Sequence, residues 1–181
     1  NPENWSGAFP LIPFFLRNMY LSAYQSYLWN STLAEWMIVS TAPENLITIE
    51  MKQGKLPMIK QVPSEMDIDI PLPSSRYTLE DFAEFQPHLQ RVLAREKLEL
   101  RDIRLKQFRE PFFSKGTRPA FYRPKELVQE LGWDKMHKGH RKLKLSFCLP
   151  RGSYATMLVK RITTAEPWSV QNPTSSTTGS I

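Results

Sequence analysis

Cysteine and histidine are almost missing: 181 residues contain one cysteine and three histidines. Cys148 cannot crosslink the chain by itself, which excludes a disulfide scaffold and suits a reducing, cytoplasmic setting. One thiol and three imidazoles also fall short of a closed metal cage. Long apolar runs are lacking as well. No uncharged stretch approaches the roughly 20 residues of a membrane-spanning helix, and no charged-then-apolar leader is present. Glycine is scarce, seven residues against fifteen prolines, so rigid bends should punctuate the chain and long regular elements should be few. No repeat period is visible. The sequence does not begin with methionine, and Asn1 reads as a cut inside a longer chain.

What is present suffices for a core without staples, since 41% of the residues are hydrophobic and 12% aromatic. The formal charge of +6 is unevenly spread. Residues 1–90 hold five Lys/Arg against ten Asp/Glu, whereas residues 91–161 hold nineteen against seven. A basic second half is the electrostatic footprint of a polyanion-binding protein, although a solvated face gives the same count.

Residues 1–13 are interrupted by proline and read as an entry segment. From Phe14 to Met37 apolar residues recur at Leu16, Tyr20, Tyr24, Tyr27, Leu28 and Trp36, the spacing of an amphipathic helix. Its aromatics suit packing better than base stacking. Leu46–Met51 and Leu56–Lys60, separated by Lys52-Gln53-Gly54-Lys55, predict a hairpin. Val62–Pro73 is an extended loop or edge segment. Leu89, Val92 and Leu93 predict a helix over Pro87–Glu96, followed by a second short helix over Glu99–Phe108. The segment PFFSKGTRPAFYRP, residues 111–124, interleaves Phe112, Phe113, Phe121 and Tyr122 with Lys115, Arg118 and Arg123. That pattern fits a single-stranded nucleic acid surface and equally a loop anchored in the core. Arg141–Leu149 alternates strictly, with Leu143, Leu145, Phe147 and Leu149 on one face of a strand. A Pro150-Arg151-Gly152 junction then leads to Ser153 as N-cap and to a helical stripe at Ala155, Leu158, Val159 and Ile162. The Ser/Thr/Pro-rich tail after Thr163 lacks a hydrophobic pattern, with Trp168 its one anchor.

Two motifs carry the reading further. FFLRNMYLSAYQSYLWN, residues 14–30, resembles the helix that follows the NRFG segment in TruD-type pseudouridine synthases. FCLPRGSYATMLVKRI, residues 147–162, resembles the F-x-LP-x-GSYAT signature near the carboxyl end of the same family. The resemblance implies an α+β chain in which a mixed helical and hairpin insert domain joins the terminal strand and helix of a mixed-sheet catalytic domain. Its divisions would be an entry segment at 1–13, the insert at 14–125, the catalytic part at 126–163 and a tail at 164–181. It implies isomerisation of a uridine in tRNA to pseudouridine, with no external cofactor and no metal.

In the family the catalytic aspartate lies in a G-L-K-D-like motif before the NRFG segment, and neither motif occurs here. The expected partners are therefore folded tRNA and the amino-terminal half of the same enzyme, and the chain alone should be inactive. The carried-over site is one wall of a uridine pocket. Phe147, Leu149 and Pro150 would form its apolar side, and Gly152, Ser153 and Tyr154 would turn the chain and open a helix able to face a phosphate. Lys115, Arg118, Lys138, Arg141, Lys142, Lys144 and Arg151 would bind RNA, with Lys160 and Arg161 as further candidates unless they serve the helix dipole.

The rival class is a non-catalytic RNA-binding module. A metal enzyme using Asp134, His137 and His140, or a serine nucleophile at Ser153, lacks the remaining ligands or the histidine that such chemistry needs. A lone terminal strand exposing Leu143, Leu145 and Phe147 would invite aggregation, so the chain should be stable only with its missing half.

Overall fold

The structure is a computed structural model that describes residues 4–51, 54–63, 66–105, 113–150 and 152–164. A short helix α1 (Trp5–Ala8) and a 3₁₀ turn precede the dominant element, α2 (Phe14–Ser40). At 27 residues this helix is about 40 Å long. It begins after Pro13, and Thr41 turns extended just ahead of Pro43. Only the second half of α2 is core: Leu28, Trp29, Leu33, Trp36 and Met37 are buried, while Phe15, Met19 and Tyr20 lie in solvent.

Against that buried stripe pack Phe82 and Phe85, then Leu89, Val92 and Leu93 of α3 (Gln86–Arg95), then Leu100 and Ile103. Burial of so many large side chains is the main stabilising term of the body. Two buried polar groups on α2 fix its register on the remainder. The Gln25 amide donates to the carbonyls of Pro73 (3.0 Å) and Ser114 (2.8 Å). The Trp29 indole donates to the Ile70 carbonyl at 3.1 Å. These bonds hold the short antiparallel pair β3 (Asp69–Pro71) and β4 (Thr117–Pro119) against the helix.

The expected hairpin exists as β1 (Leu46–Met51) and β2 (Gly54–Ile59), joined antiparallel from Leu46↔Ile59 to Met51↔Gly54. Strand β2 starts at Gly54, two residues earlier than the apolar pattern predicts, because Gly54 takes φ 121° and so serves the turn itself.

The second helix expected over Glu99–Phe108 is corrected. After α3 the Lys97 amide returns to the Ala94 carbonyl and the Leu98 amide to Leu93, with Lys97 at φ 57°. This is a Schellman stop, and it ends the helical path. The chain then makes a single 3₁₀ turn, Leu100–Asp102, closed by a reciprocal Glu99–Asp102 capping box. Residues 106–112 lie outside the described residues, as does the tail from 165 onward with Trp168.

The chain then leaves the body in a long two-stranded ribbon, β5 (Lys125–Trp133) and β6 (Arg141–Cys148). β6 is the strictly alternating strand of the sequence. β5 was hidden, because Glu126 sits at φ 53° and a register shift between Lys125 and Val128 breaks its alternation. Helix α4 (Ala155–Thr164) comes last and packs against β1. The architecture is α+β, with three separate two-stranded sheets among the described residues.

Candidate nucleic-acid interface

The segment that ends β6 and opens α4 runs Phe147–Tyr154. Phe147 and Leu149 are half-buried, Pro150 and Gly152 exposed, Ser153 half-buried and Tyr154 exposed. The Ser153 amide donates to the Pro150 carbonyl at 3.1 Å, closing a turn that Gly152 completes at φ 87°. Ser153 is not the residue that starts the helix. The Tyr154 carbonyl accepts the Met157 amide at 3.0 Å and the Leu158 amide at 3.5 Å, so Tyr154 occupies the cap position. The bulk of the tyrosine ring then points outward at the helix head.

A third donor reaches that carbonyl: the Tyr122 hydroxyl at 3.0 Å. Burial raises the Tyr122 pKa above the ordinary tyrosine value, which keeps the hydroxyl protonated and donating. Helix α4 is fixed further along. Lys160 donates to the Glu50 carbonyl at 3.2 Å and Arg161 to the Lys60 carbonyl at 2.8 Å. Both cations therefore tie α4 to the β1–β2 hairpin, and neither the RNA role nor the helix-dipole role considered for them describes these bonds.

In the described part of segment 111–124 two of the aromatics are anchored in the core. Phe113 is buried, and the Phe121 ring lies 6.4 Å from that of Trp36. Phe112 lies outside the described residues. The neighbouring cations lean on core aromatics. Lys115 Nζ sits 5.0 Å from the Tyr77 ring centre, and the Arg118 guanidinium sits 5.2 Å from Trp29 and donates to Ser26. A concavity of about 420 Å³ opens beside Tyr77, Leu79, Leu93, Leu98 and Leu100, well away in sequence from Phe147–Tyr154.

The other expected RNA contacts sit on the ribbon. Lys142 and Lys144 share one face, opposite Gly132 and Glu130, and Lys144 pairs with Glu130 at 3.2 Å. Arg141 belongs to the other face, where its guanidinium lies 4.8 Å from the ring centre of Trp133. Lys138 stands in the loop at the tip. The seven expected cations thus divide into a pair on the helical body and four on the ribbon, and Arg151 lies outside the described residues.

The ribbon's second face is apolar and open. Leu131 faces Leu143 and Trp133 faces Arg141, and Leu127, Leu131, Trp133 and Leu143 are all exposed. Sequence reasoning missed Leu127, Leu131 and Trp133 because the bulge conceals β5. At the tip, Asp134 Oδ1 accepts the amides of Met136 (2.8 Å) and His137 (3.3 Å), and its Oδ2 meets His137 Nδ1 at 2.9 Å. The His137 bond, then the Met136 amide, hold the Asp134 carboxyl below its ordinary value. That pairing is a local clasp, and among the described residues no group of three or more His, Cys, Asp or Glu is arranged to hold a metal ion. Nor is any described helix long and apolar enough to cross a membrane.

A family model for tRNA pseudouridine synthase D (TruD) matches residues 1–162. This chain belongs to the TruD family. A probable tRNA pseudouridine synthase D of Methanosarcina acetivorans is 30% identical over 92% of the chain and 42% of its own length. The Methanopyrus kandleri relative is 29% identical over 92% of the chain and 37% of its own length. That of Aquifex aeolicus, a tRNA pseudouridine synthase D, is 28% identical over 88% and 40%. The chain therefore spans about two fifths of the length of these curated TruD relatives. No solved structure matches it.

Proposed function

We propose that this chain is the RNA-holding part of a TruD enzyme that isomerises a uridine in tRNA to pseudouridine, with Phe147–Tyr154 as one wall of the uridine site. The observation that carries the reading is the clamped strand–turn–helix formed by the FCLPRGSYAT segment, in a chain of this family. Two interactions hold it directly, the Pro150–Ser153 turn and the Tyr122 bond to the Tyr154 carbonyl, and Lys160 and Arg161 tie the helix it opens to the hairpin. A wall held this firmly suits chemistry at a base, which has to leave its stack and be received in a defined place.

The reaction breaks the glycosidic C–N bond, turns the uracil and joins it again through carbon. Nothing is oxidised, reduced or donated from outside, so the chemistry requires no cofactor. It does require an aspartate, and the G-L-K-D-like motif that bears it in the family is not in this chain. The remaining length of a TruD protein supplies it. The open apolar face of the ribbon, with Leu131, Trp133 and Leu143, is where that part packs, which turns an isolated hairpin of marginal stability into a covered one. Lys142, Lys144 and Lys138 on the ribbon, and Lys115 and Arg118 on the body, hold RNA through its phosphates and so position it rather than read it.

The experiment is a pseudouridine assay on unmodified tRNA transcripts. The chain by itself is compared with the chain joined to an upstream TruD segment carrying the G-L-K-D-like motif. Product from the joined protein and none from the chain by itself is the expected result. Specific tRNA binding without product from either form favours the non-catalytic module.

A further inference from the structure

The tip of the ribbon is built for more than closing a hairpin. Between Trp133 and Lys144 the sequence is WDKMHKGHRKLK, with Asp134 the single acid among many Lys/Arg. Asp134 is already engaged inside the loop, taking the Met136 and His137 amides and the His137 ring. The loop is also closed across its base. The Asp134 amide donates to the His140 carbonyl at 2.9 Å and the His140 amide to His137 at 3.1 Å, with Gly139 at φ 82°. The result is a preformed tip that presents an apolar side chain: Met136 is 88% exposed, the highest value among the large exposed hydrophobic residues.

An exposed methionine held at the apex of a cationic loop has no core to enter. It fits nucleic acid, where apolar wedges enter a base step while cations meet the phosphates on either side. A thioether chain is unbranched and polarizable, so it adapts to whichever base edge it meets. Holding the loop in advance reduces the ordering cost of binding.

We propose that the Asp134–His140 tip is an RNA wedge, in which Met136 enters a base step of the folded RNA while Lys135 and Lys138 hold the flanking phosphates. This rests on the tRNA reading above. It adds a specific act, local unstacking, at a residue that the TruD signature does not include. The ribbon gives it reach, since nine residues of strand extend about 30 Å.

The test uses the intact protein and a tRNA transcript carrying 2-aminopurine at successive positions, whose fluorescence rises on unstacking. Wild type should raise the signal at one local cluster of positions. Met136→Ser should abolish that rise and weaken binding about tenfold, with its salt dependence unchanged. Met136→Leu should restore both. Lys135→Ala and Lys138→Ala should each lower the salt slope by about one. Melting curves should match wild type throughout, because all three side chains lie at an exposed tip. Tight binding of wild type with no fluorescence change at any position, or a Met136→Ser protein that matches wild type, overturns the wedge and leaves the tRNA reading standing. Absence of tRNA binding by wild type overturns both, and loss of binding to anionic phosphatidylserine vesicles in Met136→Ser without any effect on tRNA assigns the tip to a membrane instead.

Discussion

Replacing Gln25 with alanine is expected to cost about 2 kcal/mol, because it strands two carbonyls that the amide satisfies. Gln25 is buried at 3% exposure, and Pro73 and Ser114 lie on separate segments, so the loss should be felt as loosening of β3–β4 from the helix. Urea unfolding of the variant beside wild type measures it. His88 sets a pH dependence. Burial, then the adjacent Arg91, lower its pKa below the ordinary histidine value, and Arg91 Nη2 lies 2.7 Å from its Nδ1. The folded protein therefore keeps this ring neutral where the unfolded chain protonates it. Stability from His88 is complete above the unfolded value of about 6.5 and is lost as pH falls toward the lower folded value. Thermal midpoints should drop over that window, and His88→Gln should flatten the drop. By contrast, the pKa of Tyr24 is pushed up to about 12 by burial and by its bond to Glu96, which leaves it protonated throughout.

At the scale of elements, Lys97 occupies the left-handed position of the α3 Schellman stop with φ 57°, where glycine carries no side-chain penalty. Lys97→Gly is expected to stabilise the protein by about 0.5–1 kcal/mol, read as a raised urea midpoint with an unchanged m-value. The same stop explains why a second helix over Glu99–Phe108 was expected and a 3₁₀ turn formed. Leu98, Leu100 and Ile103 have apolar spacing that reads as helical, but it comes after a reversal made by backbone geometry at a lysine, which composition does not advertise. Elements with clean periodicity were legible: α2, α3, the β1–β2 pair, β6 and α4 all lie where their apolar spacing puts them. β5 was not, since Glu126 at φ 53° and the register shift before Val128 disturb its start, and Val128 lies on the face opposite Leu131 and Trp133. Of the candidate site, the Phe147–Tyr154 segment was legible as strand, turn and helix. Its clamps were not, because Tyr122, Lys160 and Arg161 act through backbone carbonyls distant in sequence.

At the scale of the whole molecule, the acidic first half and basic second half do not correspond to two bodies. Arg91 and Arg95 of the basic half pair with Glu35 on α2, and Arg123 donates to the carbonyls of Val62 and Pro63. Part of the positive charge is thus taken up by internal ties, and among the described residues the ribbon carries a dense group of exposed cations, Lys135, Lys138, Arg141, Lys142 and Lys144. The body around α2 and α3 has its own core. The ribbon and the head of α4 offer open apolar surface that a TruD protein of full length is expected to cover. The central claim is the proposed one, that this chain supplies a wall of the uridine site and another part of a TruD protein its aspartate, and pseudouridine formation tests it most directly. Incubated with unmodified tRNA, the chain joined to the aspartate-bearing TruD segment should form product, whereas the chain alone and the joined protein with its catalytic aspartate changed to asparagine should form none. Product from the 181-residue chain alone would contradict the account, because it would place the catalytic group among residues to which no such role has been assigned.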